Sequence, residues 1–154
     1  MDFYVLAQHC APNVSPVTAR AIVDVESGFD PLAIHVNGGI LEHPPRSRRE
    51  ALATARALRA SNWDFDIGLA QINVRNVERF RVALQEVFDP CMNLHLMQRI
   101  LGECFERARK LPLEEQVALR AALSCYHSGN LQEGFARGYV GRVVNAAKGT
   151  VKGP

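Results

Sequence analysis

No apolar run in this 154-residue chain approaches the roughly 20 residues a bilayer-spanning helix needs, so no segment is expected to cross a membrane. An excess of charge of one sign is equally scarce. Lys and Arg number 18 against 16 Asp and Glu, and a formal charge of +2 is too small to argue for nucleic acid. The basic clusters, Arg46-Ser47-Arg48-Arg49 among them, are short or interrupted. They read as solvated helix starts rather than phosphate grips. Cys-x-x-Cys and paired-His spacings are missing, which argues against a metal site, and no cofactor is expected. Nor does Met1-Asp2-Phe3 open on a basic region followed by a long apolar stretch, so no export leader is read there. Composition leaves open a cytoplasmic protein and a mature form whose leader has been replaced by a methionine.

What is present suits one compact domain. Apolar residues make up 47% of the chain, enough for a real core and too many for disorder. No repeat and no linker divides it. Ser15-Pro16 suits a helix start, the stripe Ala19, Ile22, Val23, Glu26 keeps helical spacing, and Gly28 stops it. Residues 33–41, with Asn37-Gly38-Gly39 in the middle, read as a small β-hairpin or ordered loop. Ser47-Arg48-Arg49-Glu50 matches a capping box and opens a helix to about Ala60. Residues 62–73 read as a loop, 76–87 as one or two short helices ended by Asp89-Pro90. A longer helix capped by Asn93 is expected next, then one from Pro112 to Tyr126, ended by Ser128-Gly129-Asn130. Short helices around 132–136 and 139–147 and a frayed tail over 148–154 complete a mainly α, single-domain reading, with the domain over 1–147.

Four cysteines are a clue to compartment. Cys10 and Cys91 stand at loop positions flanked by proline, a common setting for a staple. Cys104 and Cys125 fall within helical patterns and read as small apolar core residues. In a hairpin turning near Pro112, Cys125 lies farther from the turn than Cys104, and that stagger argues against a bond between them.

Three places could carry chemistry. Glu26 follows Ile22 by four residues and Val23 by three, so it points where they point. It also stands in the last turn of its helix, where the dipole is negative. Desolvation and dipole both disfavour a carboxylate and raise its pKa, which suits a general acid. An acid at the edge of the stripe that simply reaches solvent is the commoner outcome for such a residue. The second place is Gly68-Leu69-Ala70-Gln71-Ile72-Asn73. Gly68 permits an unusual backbone angle and close approach of a ligand, Gln71 offers donors and an acceptor to sugar hydroxyls and acetamido groups, and Asn73 can fix the loop. The third is Tyr126 with His127, Ser128, Gly129 and Asn130, a phenol able to bond a carboxylic acid and wall a pocket. Taken singly, each also fits an ordinary turn or a half-buried core tyrosine.

Glu26-Ser27-Gly28, then Gly68 to Asn73, then Ala122-Leu123-Ser124-Cys125-Tyr126-His127-Ser128-Gly129-Asn130, together resemble the three-motif signature of lytic transglycosylases with a lysozyme-like fold. Cys10-Ala11-Pro12, Pro31 to Ile34 with Val36-Asn37-Gly38, Phe65 to Gly68 and Phe88-Asp89-Pro90-Cys91 are similar to the branch that accompanies type IV secretion and conjugation machines. The likeness covers about residues 6–144. It implies that Glu26 is the catalytic acid/base, with Ser27 in support and Tyr126 orienting it. Gly68, Leu69, Gln71, Ile72, Asn73, Tyr126 and His127 would line the glycan cleft. The implied reaction cleaves peptidoglycan between N-acetylmuramic acid and N-acetylglucosamine and closes an anhydro ring, so one carboxylate suffices where most glycosidases need two. His127 departs from the asparagine usual after the motif tyrosine, and Cys125 is unusual before it.

Because the wall lies outside the cytoplasm, the resemblance implies a periplasmic protein supplied as a mature or engineered form. It implies glycan strands as the partner, leaves room for secretion-system subunits, and is compatible with a monomer. A disulfide between Cys10 and Cys91 is expected in an oxidising compartment. Two other readings stay open. A hydrolase of lysozyme type would use a second acid, with Asp66 the best candidate and Asp64 and Asp30 behind it. A glycan-binding assembly factor would have lost its chemistry.

Overall fold

The computed structural model describes residues 2–151. The chain opens with a helix where the sequence reading has none. Asp2 caps α1 (Phe3–Cys10), its carboxylate accepting from Tyr4 N at 2.7 Å. Cys10 is therefore the last residue of a helix and not part of a loop. Pro16 occupies the first turn of α2 (Pro16–Ser27), where its missing N–H costs nothing. Ser15 holds the cap position without a side-chain cap bond. Ala19, Ile22 and Val23 are wholly buried. Gly28, at φ +61°, ends α2 by returning its N–H to Asp24 O at 3.0 Å.

β1 (Ile34–Val36) lies in the stretch expected to be a hairpin or ordered loop, but its partner is not local. It pairs antiparallel with β2 (Phe65–Ile67) across the intervening α3 (Arg48–Ala60), and β2 pairs with β3 (Ile72–Asn73). Residues 62–73, read as a loop from sequence, are thus largely a β-hairpin whose turn is the second motif. The register sets Asp66 opposite both His35 and Asn73. Alternation along β2 does the rest: Phe65 and Ile67 enter the core and Asp66 points the other way. The Ser47 hydroxyl accepts from Glu50 N at 3.1 Å and starts α3 as expected.

Two short helices follow, α4 (Val74–Arg79) and α5 (Leu84–Val87). The long α6 (Pro90–Arg109) is capped by Asp89, which accepts from Met92 N at 3.0 Å. Asp89-Pro90 therefore starts a helix rather than ending one, and Asn93 is not its cap. Glu114, not Pro112, caps α7 (Glu115–Ser128), which ends at Gly129. α8 (Glu133–Ala136) and α9 (Tyr139–Val151) close the chain. The tail expected from Lys148 falls partly on residues 152–154, which lie outside the described residues. α6 packs on α7 and α1, and α2 packs on α9. This is the lysozyme-like α+β architecture, mostly helical with one small sheet.

Two disulfides staple it. Cys10–Cys91 joins α1 to the first turn of α6, the expected pair. Cys104–Cys125 joins α6 to α7 with Cα atoms 5.7 Å apart, which corrects the reading of both as free core thiols. The stagger assumed a tight hairpin. Residues 110–114 instead form a connection able to span up to roughly 16 Å. It lets α7 begin past the end of α6, so that the two cysteines come level.

Candidate active site

A cleft of about 910 Å³ runs between the sheet and the α6–α8 side of the molecule, with Glu26 in its lining. The sheet contributes His35, Asn37, Asp64, Asp66 and Asn73, and the opposite side contributes Tyr126, His127, Glu133 and Arg137. Gln71 and the Cys104–Cys125 disulfide border the same space.

Glu26 reaches the cleft because it stands one turn beyond Ile22 and Val23 on the inward stripe of α2. Burial pushes its carboxyl up to about 8, and the negative charge of Asp66 across the cleft adds to the effect. Arg142 and the hydroxyl of Tyr139 pull the other way. Tyr139 Oη is buried and meets no partner at full hydrogen-bonding geometry. Its contact with the Glu26 carboxyl is looser than a formed hydrogen bond. The Tyr139 ring stacks on His127 with centroids 4.2 Å apart and planes 7° from parallel. Partial burial, Arg137 and Arg142 all disfavour a charged His127 and lower its pKa.

The three motifs meet, but by other atoms than the sequence suggests. Ser27 Oγ donates to Leu69 O at 2.7 Å, tying the end of α2 to the second motif. Tyr126 Oη donates to Ala70 O at 2.7 Å. Its hydroxyl is thus committed to the turn, and the phenol facing Glu26 is Tyr139. Gln71, at φ +53°, donates from Nε2 to Ala33 O at 3.1 Å and Gly68 O at 3.0 Å. Its amide nitrogen is consumed in shaping the turn, and its carbonyl oxygen forms no hydrogen bond among the described residues. Leu69 and Ile72 are core side chains and cannot meet a substrate. Gly68, at φ +80°, is closely approached by Asn93.

Asn93 is the residue the sequence reading assigned to the wrong task. It is 1% exposed and accepts from Ala70 N at 2.8 Å while donating to Ile67 O at 3.0 Å and Val87 O at 2.9 Å. It holds the second motif from behind. Its spacing was the available signal: Asn93, Met97 and Ile100 form one stripe, and a lone amide on such a stripe needs buried partners. Tyr139 had a weaker signal, a tyrosine four residues before Val143 on the apolar face of α9.

Asn73 does fix its loop. It caps α4 by accepting from Arg75 N at 3.0 Å, and its Nδ2 donates to Asp64 Oδ1 at 2.9 Å and Asp66 Oδ1 at 2.8 Å. Asp66 also accepts from Asn37 Nδ2 at 3.4 Å. Burial raises its pKa against the pull of these two amides. Asp30 is spent on a turn, accepting from Leu32 N at 2.9 Å, and does not border the cleft. Among the described residues no three His, Cys, Asp or Glu side chains cluster as a metal site, and no helix is long and apolar enough to cross a membrane.

A buried acid beside a polar cleft, set between helices and a small sheet, can hand a proton to a polar molecule held in that cleft. The chain belongs to the transglycosylase SLT domain family, whose model matches residues 3–146. It is 48% identical over 158 aligned positions to the type IV secretion system protein virB1 of Brucella abortus, covering 99% of this chain and 66% of that one. The Brucella suis protein of the same description matches equally. Protein virB1 of Agrobacterium fabrum is 36% identical over 149 positions, covering 96% of this chain and 60% of that one. The chain thus spans somewhat under two thirds of the length of these relatives. No solved structure matches it.

Proposed function

We propose that this domain is a peptidoglycan lytic transglycosylase, cleaving the β-1,4 bond from N-acetylmuramic acid to N-acetylglucosamine. The observation that carries the reading is the Glu26 carboxyl, held protonated to about pH 8 by burial beside a polar cleft. Glu26 gives its proton to the glycosidic oxygen as the bond to the anomeric carbon breaks. The carboxylate left behind then accepts the proton of the muramic acid C6 hydroxyl, whose oxygen closes on the anomeric carbon. Proton and bond count balance without water, and the acid is regenerated. Ser27, Tyr126 and Asn93 tie the second motif to α2, α7 and α6, so that Gln71 turns its carbonyl oxygen to the sugars from a fixed backbone. Burial sets the proton affinity of Glu26, which Asp66 raises further and Arg142 and Tyr139 moderate.

Asp66 supports a second reading, a hydrolase in which it activates water, because it shares the cleft and its charge reaches Glu26. Against this, Asn73 and Asn37 already bond its carboxylate. Mass spectrometry of digested peptidoglycan separates the two: anhydro-muramic ends are expected, and reducing ends sink the transglycosylase reading. Glu26→Gln is expected to abolish wall clearing, and a variant that clears purified walls at the wild-type rate ends this mechanism. The names of the relatives favour local opening of the wall for a type IV secretion apparatus, and two disulfides favour the periplasm as its location.

A further inference from the structure

Four arginines border the cleft: Arg75, Arg79, Arg107 and Arg137. Three of them are matched by a carboxylate. Arg79 makes a two-pronged pair with Glu103 at 2.9 and 3.0 Å, Arg137 meets Glu133 at 3.4 Å, and Arg75 meets Asp64 at 3.8 Å. Arg107 pairs with no carboxylate among the described residues; its two bonds go to a sulfur and a carbonyl. The helix offers it an acid. Glu103 stands four residues earlier on α6, the spacing and order that favour a glutamate–arginine pair. Glu103 turns to Arg79 instead, and Glu106 pairs with Arg109 at 2.9 Å.

What Arg107 holds uses one nitrogen. Nη1 donates to Cys125 Sγ and to Gly129 O, both at 3.3 Å. The carbonyl end of α7 suits a cation, but Nη2 and Nε donate to nothing among the described residues. A guanidinium carries five N–H donors in a planar fork that fits a carboxylate. Arg107 is thus an exposed cation in the cleft lining, steadied at one nitrogen and open at two. Its place in the wall is fixed by what it touches. Cys125 directly precedes Tyr126, whose hydroxyl grips Ala70 O, so this stretch of wall runs on into the second motif.

The substrate supplies the complement. Muramic acid differs from the sugar it alternates with by a lactyl arm that ends in a carboxyl. In intact wall that carboxyl is joined to a short peptide with carboxylates of its own; stripped of the peptide, it is itself a carboxylate. We propose that Arg107 is an anion-binding site of the cleft that takes a carboxylate carried on the lactyl arm of muramic acid. The inference rests on the glycan-cleaving reading and adds to it a preference for strands that bear this charge.

The experiment measures heat of binding to Glu26→Gln protein, with and without Arg107→Gln, for three probes: peptide-bearing glycan strands, the same strands with every carboxylate amidated, and strands stripped of peptide. Arg107→Gln is expected to weaken binding of the peptide-bearing strands about tenfold and to leave the amidated strands unchanged, because a charge-assisted bond needs both partners. Arg107→Lys is expected to restore part of the affinity. A loss that extends to stripped strands assigns the anion to the lactyl carboxylate, and a loss confined to peptide-bearing strands assigns it to the peptide. Equal weakening with native and amidated strands overturns the proposal, since a guanidinium that merely braces the end of α7 would act on both alike. Unchanged affinity for every strand in folded Arg107→Gln protein overturns it too, and leaves the glycan-cleaving reading standing. No heat with any strand in the parent protein removes that reading and this inference with it.

Discussion

At the scale of single residues, Glu26 is costly to the fold because it is useful to the reaction. Its acid form is stabilised by burial, so the folded chain holds that proton more tightly than the unfolded chain does. The contribution of Glu26 to stability is fully present below about pH 4.5 and is lost as pH rises through about 8. The shift sets a ceiling of roughly 5 kcal/mol on the loss. Glu26→Gln, which cannot ionise, is therefore expected to match the wild type in thermal stability near pH 4.5 and to exceed it near pH 9 by on the order of 2–4 kcal/mol. Melting curves at the two pH values check this, and a gain that does not grow with pH would show a carboxyl already ionised. Wild-type activity should fall on the alkaline side of about 8 as the acid loses its proton. Glu26 was legible in the sequence because a charged residue on an apolar stripe is a local conflict. Asn93 and Tyr139 present the same kind of conflict on α6 and α9, but their partners lie on other elements: Ala70, Ile67 and Val87 for one, Glu26 for the other.

At the scale of elements, the second motif works as the turn of a hairpin gripped from three sides, by Ser27, Tyr126 and Asn93. Gly68 is the tightest point. An added Cβ would collide with Asn93 Nδ2, and φ is +80°. Gly68→Ala should therefore combine backbone strain with the loss of buried hydrogen bonds and cost about 3 kcal/mol or more. Gly38→Ala is the control: φ is +82° there, nothing lies within 4 Å of the new methyl, and strain alone of about 1–2 kcal/mol is expected. Urea unfolding of the two variants measures the difference, and equal losses would show that Asn93 does not grip the turn. The same division explains which elements could be read from sequence. The Ser47–Glu50 cap and the Gly28 and Gly129 stops close within a few residues and were legible. The β1–β2 pairing closes over α3, and nothing in residues 33–41 names its partner.

At the scale of the molecule, the two disulfides hold α6 at two points, one fixing α1 to its start and the other, which borders the cleft, fixing it to α7 just before Tyr126. Cys125 also accepts a contact from Arg107 Nη1 at 3.3 Å, and the same guanidinium donates to Gly129 O at 3.3 Å, so the end of α7 is held where it presents Tyr126 and His127. Sequence separations of 81 and 21 residues correspond, by loop-closure entropy, to about 4.5 and about 3 kcal/mol. Denatured, unreduced protein is expected to show no free thiol, and two titratable thiols would refute the Cys104–Cys125 bond. The double substitution Cys104→Ala with Cys125→Ala is expected to lower stability by about 3 kcal/mol, which in a domain of this size is a fall in Tm of roughly 6–12 °C. The comparison must be made with the Cys10–Cys91 bond intact, since its loss alone should lower Tm at least as much. If the double variant melts with the wild type, α6 and α7 are held level by packing alone, and the second bond contributes nothing to the wall that carries Tyr126.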